Sequence, residues 1–174
     1  YYSIDLPAID AKNGVWIKGP GMKLFSAVEH ALGHKDCIAE DLGFISTEVD
    51  ILKKEAGFPG MKVFEFAFDE PDSVYLPEHY DKNCIAYVGT HDNDTLIGWL
   101  HSLPFEKLEK VCDYAKLQDG EELNAKIMSI LSESNARTVI YSMQDILGLG
   151  SKARMNIPST EIGNWTWRIK KDII

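Results

Sequence analysis

Two short acidic strings hold the residue types from which a reaction centre could be built. Glu40 and Asp41 follow the apolar run Cys37-Ile38-Ala39, and His91-Asp92-Asn93-Asp94-Thr95 follows a second run over 84–88. Phe66 and Asp69 stand near the end of another apolar stretch between them. Two carboxyl groups flanking one bond suit glycoside chemistry, in which one protonates the leaving oxygen while another stabilises or traps an oxocarbenium-like centre. Glu40 and Asp92 are of the right types. Spacing alone leaves a second reading open, because Asp and Asn after strands are also common loop and helix-capping residues.

The elements that would present these side chains can be read from periodicity. Gly19-Pro20-Gly21 marks a turn, after which Leu24, Ala27, Val28, Ala31 and Leu32 recur at helical spacing until Gly33. Residues 37–39 predict a short strand ending on Glu40, and Ser46 or Thr47 can cap a helix running to about Ala56. The β-forming stretch 61–68 predicts a second strand, 84–88 a third and 138–143 a fourth. Between the last two, one helix is expected behind Pro104 on Phe105, Leu108, Val111, Cys112 and Ala115. Another is expected behind Glu121-Glu122 on Leu123, Ile127, Ile130 and Leu131. Short apolar strands alternating with helices imply an α/β fold with parallel pairing. In such folds ligands sit at the carboxyl ends of the strands, where both acidic strings fall. Periodicity does not separate half of a closed barrel from a small open sheet.

Composition narrows the range of partners. The chain has 174 residues, 45% hydrophobic and 26% charged, enough apolar content for a packed core. Its formal net charge is -9, and no basic run exceeds Lys53-Lys54 or Lys170-Lys171, so neither nucleic acid nor an anionic membrane is an expected partner. Cys37, Cys84 and Cys112 are odd in number, far apart and set among apolar neighbours, and read as core thiols in a reducing compartment. No metal-ligand spacing accompanies them. No stretch approaches the ~18 apolar residues of a membrane span, so the cytoplasm is the expected location. Gly148 and Gly150 do not form a dinucleotide-binding set, and His30, His34, His79 and His101 are expected to face solvent.

Several longer strings carry a resemblance. Trp16-Ile17-Lys18-Gly19-Pro20-Gly21, Ala39-Glu40-Asp41-Leu42-Gly43, Phe58-Pro59-Gly60-Met61-Lys62-Val63 and Gly89-Thr90-His91-Asp92-Asn93-Asp94-Thr95 occur in that order. Asp145-Ile146-Leu147-Gly148-Leu149-Gly150, Ala153-Arg154-Met155-Asn156 and Asn164-Trp165-Thr166-Trp167-Arg168 follow. Together they resemble the amylomaltase (disproportionating enzyme) family of 4-α-glucanotransferases, across essentially the whole chain.

The resemblance implies the second half, strands five to eight, of a TIM-type (β/α)8 barrel, with residues 1–174 as the C-terminal portion of a single catalytic domain. It implies transfer of α-1,4-glucan segments between maltooligosaccharides with retention, without metal or cofactor. Glu40 would be the general acid/base and Asp92 the transition-state stabiliser. His91 would hydrogen-bond sugar hydroxyls. Asp41 and Asn93 would orient the acid/base or the substrate, or merely cap their turns. Phe66 would line the sugar path or belong to the core. Asn164 and Trp165 would lie at the rim of the cleft, although Trp165 and Trp167 could equally pack a closing helix.

One part of the family pattern is not matched. The family's nucleophilic Asp lies in an R-I-D-H string, and none of these residues supplies one. Asp5 and Asp10 lie in a Pro-containing loop and are not assigned that role. The chain is therefore expected to be a piece of a barrel, its first half absent, inert by itself and prone to self-association through open sheet edges. The rival readings are an α-amylase-like hydrolase and a non-catalytic carbohydrate-binding fragment.

Overall fold

A computed structural model describes residues 1–43 and 45–171. The chain divides into two compact units, Tyr1–Pro59 and the described residues from Gly60 onward.

The first unit opens with a two-stranded antiparallel ribbon, β1 (Tyr2–Ser3) and β2 (Val15–Trp16), which periodicity did not foresee. The phenol of Tyr2 closes the intervening loop, donating to the Lys12 carbonyl and accepting the Gly14 N–H at 2.9 Å. Helix α1 (Met22–Leu32) and helix α2 (Thr47–Ala56) lie where expected. Ser46 occupies the N-cap of α2, and Gly57, at φ 70°, ends it in the left-handed region that favours glycine.

The expected strand over 37–39 does not form. Ala39 donates one main-chain bond to the Pro59 carbonyl at 2.9 Å, and Pro59 has no N–H with which to continue a ladder. Cys37 is exposed rather than a core thiol, whereas Cys84 is buried and Cys112 half-buried.

The second unit is built on a parallel three-stranded sheet ordered β3 (Gly60–Val63), β4 (Cys84–Tyr87), β5 (Thr138–Ile140). Val63 pairs with Tyr87, and Tyr87 with Ile140, so the carboxyl ends of all three strands are level. The α/β class is thus observed, with three parallel strands where four were expected and no closed barrel among the described residues.

β3 is shorter than the 61–68 expectation. After Val63 the N–H of Glu65 still reaches the Val88 carbonyl at 3.1 Å, but the chain then coils into a 3-10 turn, Phe64–Phe66. That turn sends Phe64 into the core, edge-on to Phe68 and Trp99. β5 likewise stops before residue 143, because the Ser142 hydroxyl accepts the Asp145 N–H and caps a short helix, α6 (Met143–Ile146).

Three helices connect β4 to β5. α3 (Leu96–Ser102) was not foreseen; it is capped by Thr95, whose hydroxyl accepts the Gly98 N–H at 3.1 Å. α4 (Phe105–Ala115) and α5 (Leu123–Ser132) match their apolar spacing and begin behind Pro104 and Glu122. Phe64, Leu96, Val111, Ile127 and Leu131 are fully buried together, joining the strands to the three helices. The hydrophobic burial of such side chains, at about 1.5–3 kcal/mol each, is what fixes the loops leaving the strand ends. Among the described residues no helix is long and apolar enough to cross a membrane.

Candidate active site

The carboxyl ends of β3, β4 and β5 deliver a connected polar cluster. β3 leads directly to Glu65, β4 to the loop from Gly89 to Asp94, and β5 to Asp145 in α6.

The loop after β4 is folded on its own side chains. Asn93 Oδ1 accepts both the main-chain N–H of Thr90, at 2.9 Å, and the Thr90 hydroxyl, at 2.8 Å. Thr90 Oγ1 in turn accepts the Asp92 N–H. Asn93 thus closes this turn, and its side chain also hydrogen-bonds Glu65. The tight turn leaves His91 and Asp92 facing outward, each side chain about half exposed.

The Asp92 side chain is nevertheless held. Asn156 Nδ2 donates to Asp92 Oδ1 at 2.6 Å, and His91 Nε2 lies 3.4 Å from the same oxygen. Arg154 Nη2 donates to the Asp92 main-chain carbonyl at 2.6 Å, while its Nε donates to the Asn156 carbonyl. The other carboxylate oxygen of Asp92 has no hydrogen-bond partner among the described residues.

Trp165 is brought to this place as well. Its N–H donates to the Met155 carbonyl at 2.7 Å, its φ is +60°, and its indole lies 4.9 Å from the His91 ring, tilted by 40°. Trp165 remains 53% exposed, and no helix includes it or Trp167, so it caps a loop and not a closing helix. Asn164 spends its side chain within that loop, accepting from Ile157 N–H and donating to Thr160.

Beneath the loop lies a group of acids. Glu65 is 5% exposed, and its Oε1 has no hydrogen-bond partner. Gly89 is required beside it, since a Cβ there would stand 2.7 Å from that oxygen. Burial, reinforced by the nearby negative charge of Asp145, pushes the Glu65 carboxyl up to about 9, so at neutral pH it is uncharged. Asp145 is also raised by burial, although its Oδ1 accepts the Leu96 N–H at 2.7 Å at the start of α3. Asp94 bridges outward, accepting Thr95 N–H on Oδ1 and the Ser151 hydroxyl on Oδ2, both at 2.7 Å.

The remaining candidates are placed separately. Phe66 is half-buried with its ring edge-on to Tyr75 at 5.5 Å. In the first unit Glu40 is exposed, and Asp41 forms an ion pair with Lys53 of α2 at 2.5 Å. The four other histidines are exposed, as expected. Among the described residues no group of three or more His, Cys, Asp and Glu side chains is placed to hold a metal ion.

Glu65, Asp145, Arg154 and Asn156 had not been singled out from sequence. A charge inside the apolar run Val63-Phe64-Glu65-Phe66 was the available signal for the first, and the Ala153-Arg154-Met155-Asn156 string for the last two.

The arrangement matches a known sequence pattern. The model of the family described as 4-alpha-glucanotransferase matches residues 1–172. The chain belongs to the 4-α-glucanotransferase family. It is 46% identical over 175 residues to the 4-alpha-glucanotransferase of Clostridium butyricum, covering 99% of this chain and 36% of that protein. The chloroplastic/amyloplastic 4-alpha-glucanotransferase of Arabidopsis thaliana is 43% identical, with 97% of this chain and 30% of the relative covered. An amylomaltase from Streptococcus agalactiae, solved in complex with acarbose, superposes with a TM-score of 0.91 at 36% identity. That match spans 99% of this chain and 35% of the solved one. The chain thus spans about a third of the length of these 4-α-glucanotransferases.

Proposed function

We propose that this chain carries part of the active site of a retaining 4-α-glucanotransferase that moves α-1,4-glucan segments between maltooligosaccharides in the cytoplasm. β3, β4 and β5 are read as consecutive strands in the second half of a (β/α)8 barrel, and residues 1–174 as the C-terminal portion of one catalytic domain. The observation that carries this reading is the half-exposed Asp92 carboxylate at the carboxyl end of β4, held by Asn156 and flanked by His91 and Trp165. A fixed negative charge at such a place stabilises positive charge as it develops on a sugar ring, without having to reorganise. The family relative solved in complex with acarbose supports an α-glucan ligand for the same fold.

In this reading Glu40 protonates the leaving oxygen and later deprotonates the acceptor hydroxyl, and Asp92 stabilises the oxocarbenium-like centre. His91 hydrogen-bonds sugar hydroxyls, and Trp165 offers a face to the ring. Asn164 and Asn93 shape the loops that carry them, Phe66 supports the sugar path from behind, and Asp41 fixes the backbone next to Glu40 through Lys53. No residue of this chain is assigned as nucleophile. The test is Glu40→Gln in the full-length enzyme: turnover of maltotriose should fall by about 10²-fold or more. Azide with an α-glycosyl fluoride should restore part of the rate, and near-normal maltotriose turnover would remove Glu40 from the mechanism.

A further inference from the structure

The segment Arg154-Met155-Asn156 follows a 3-10 turn, Ser151–Ala153, and lies more than sixty residues from Asp92 in sequence. All three of its residues are nonetheless engaged with the loop after β4 or with its aromatic neighbour. Asn156 holds Asp92 Oδ1, Arg154 holds the Asp92 carbonyl, and the Met155 carbonyl fixes the Trp165 N–H. Arg154 Nε also grips the Asn156 carbonyl at 2.7 Å, so the guanidinium braces both partners of the Asn156–Asp92 contact. The 3-10 turn is itself tied back to the loop, since Ser151 donates to Asp94.

Resting on the reading of Asp92 given above, we infer that Asn156 is a positioning residue, which engages Asp92 Oδ1 and so dedicates Oδ2 to the substrate, with Arg154 locking the main chain beneath. A carboxylate on an exposed loop has free rotation about its last torsion, and an amide donor on one oxygen removes that freedom. The donor's effect should be felt where charge develops on the sugar and hardly at all in ground-state binding. Asparagine suits the position because it donates without adding charge. An aspartate there would present an acceptor, and a second negative charge, to the same oxygen.

The test compares Asn156→Ala, Asn156→Asp and Asp92→Asn in the full-length enzyme, using maltotriose and α-maltosyl fluoride. Both Asn156 variants should lose kcat by roughly 10- to 100-fold, the range for removing a charge-assisted hydrogen bond, with KM changed less than about threefold. The loss should persist on the fluoride, since a good leaving group bypasses proton donation but not charge stabilisation. Combining Asn156→Ala with Asp92→Asn should cost little beyond Asp92→Asn alone. Asn156→Asp retains the shape of the side chain and carries the test if the alanine variant does not fold. Wild-type kcat in Asn156→Asp, or losses that multiply in the double variant, would overturn the positioning role while leaving Asp92 in place. Normal turnover by Asp92→Asn would overturn the reading on which it rests.

Discussion

The imidazole of His91 and the indole of Trp165 meet at 4.9 Å with a 40° tilt, although 74 positions separate them in sequence. The contact exists because Trp165 adopts φ +60° and donates its N–H to Met155. A half-exposed indole fixed against a histidine presents a flat apolar face beside a polar one, which is what the C–H and O–H surfaces of a sugar require. Trp165→Ala should therefore raise KM for maltotriose roughly 2- to 10-fold, the equivalent of one aromatic contact, with a smaller change in kcat. Trp165→Phe should recover most of the loss. Steady-state kinetics on both variants decides the point, and unchanged KM in Trp165→Ala would make the indole a loop-packing residue only.

Asp92→Asn isolates charge from shape. Asn156 can still donate to the remaining carbonyl oxygen, so the loop should keep its fold and the melting temperature should stay within a few degrees of the parent. Turnover should fall by about 10²-fold or more, with a much smaller effect on substrate binding, because the lost charge matters when the sugar becomes positive. Equal losses in binding and rate would point to a structural role.

What the sequence revealed depended on how local the cause was. α1, α2, α4 and α5 were legible because each has an apolar stripe and punctuation at its ends. β4 was legible because it is apolar on both faces. α3 was missed because its cap, Thr95, sits inside a string that drew attention for its chemistry. The strand at 37–39 was misread because apolar residues alone do not make a ladder; the facing Pro59 lacks the donor. Asp92 and His91 could be found from their string, whereas Asn156 and Arg154 reach Asp92 only through the tertiary fold. The same holds for Glu65 and Asp145, both raised chiefly by burial, with the charge of Asp145 adding to the first and that of Asp94 to the second.

Gly98 tests how tightly the support of that loop is packed. An added Cβ would stand 2.4 Å from Ser151 Oγ and 2.6 Å from Asp94 Cγ, inside the hydrogen bond that joins them. Overpacking of this kind costs about 1–3 kcal/mol. The gain in helix propensity from Gly to Ala is about 1 kcal/mol at most in α3. Gly98→Ala should thus be a net loss of up to about 2 kcal/mol by urea unfolding, together with weaker turnover as Ser151 and the Arg154 segment shift. A stabilised variant would mean that Asp94 and Ser151 can separate freely.

Glu65 predicts a pH dependence of stability. Its carboxyl titrates near 9 in the folded protein and near 4.5 when unfolded, chiefly through burial and then through the charge of Asp145. Between those values the folded state holds a proton that the unfolded chain has released, so stability falls as pH rises. The contribution is complete below about pH 4.5, and it is fully lost once the pH passes about 9. From 4.5 to 7 the decline amounts to about 3 kcal/mol, at 1.36 kcal/mol per unit. Asp145, also raised by burial, adds in the same direction. Glu65→Gln keeps a neutral side chain of nearly the same shape and has no proton to lose. It should be at least as stable as the parent at pH 7, and its stability should fall less steeply between pH 7 and 9. Urea unfolding of both proteins across that range, corrected for slopes common to the two, measures the difference directly. Parallel curves would mean that Glu65 is charged in the folded protein, and that Asn93 or solvent satisfies the oxygen found here without a partner.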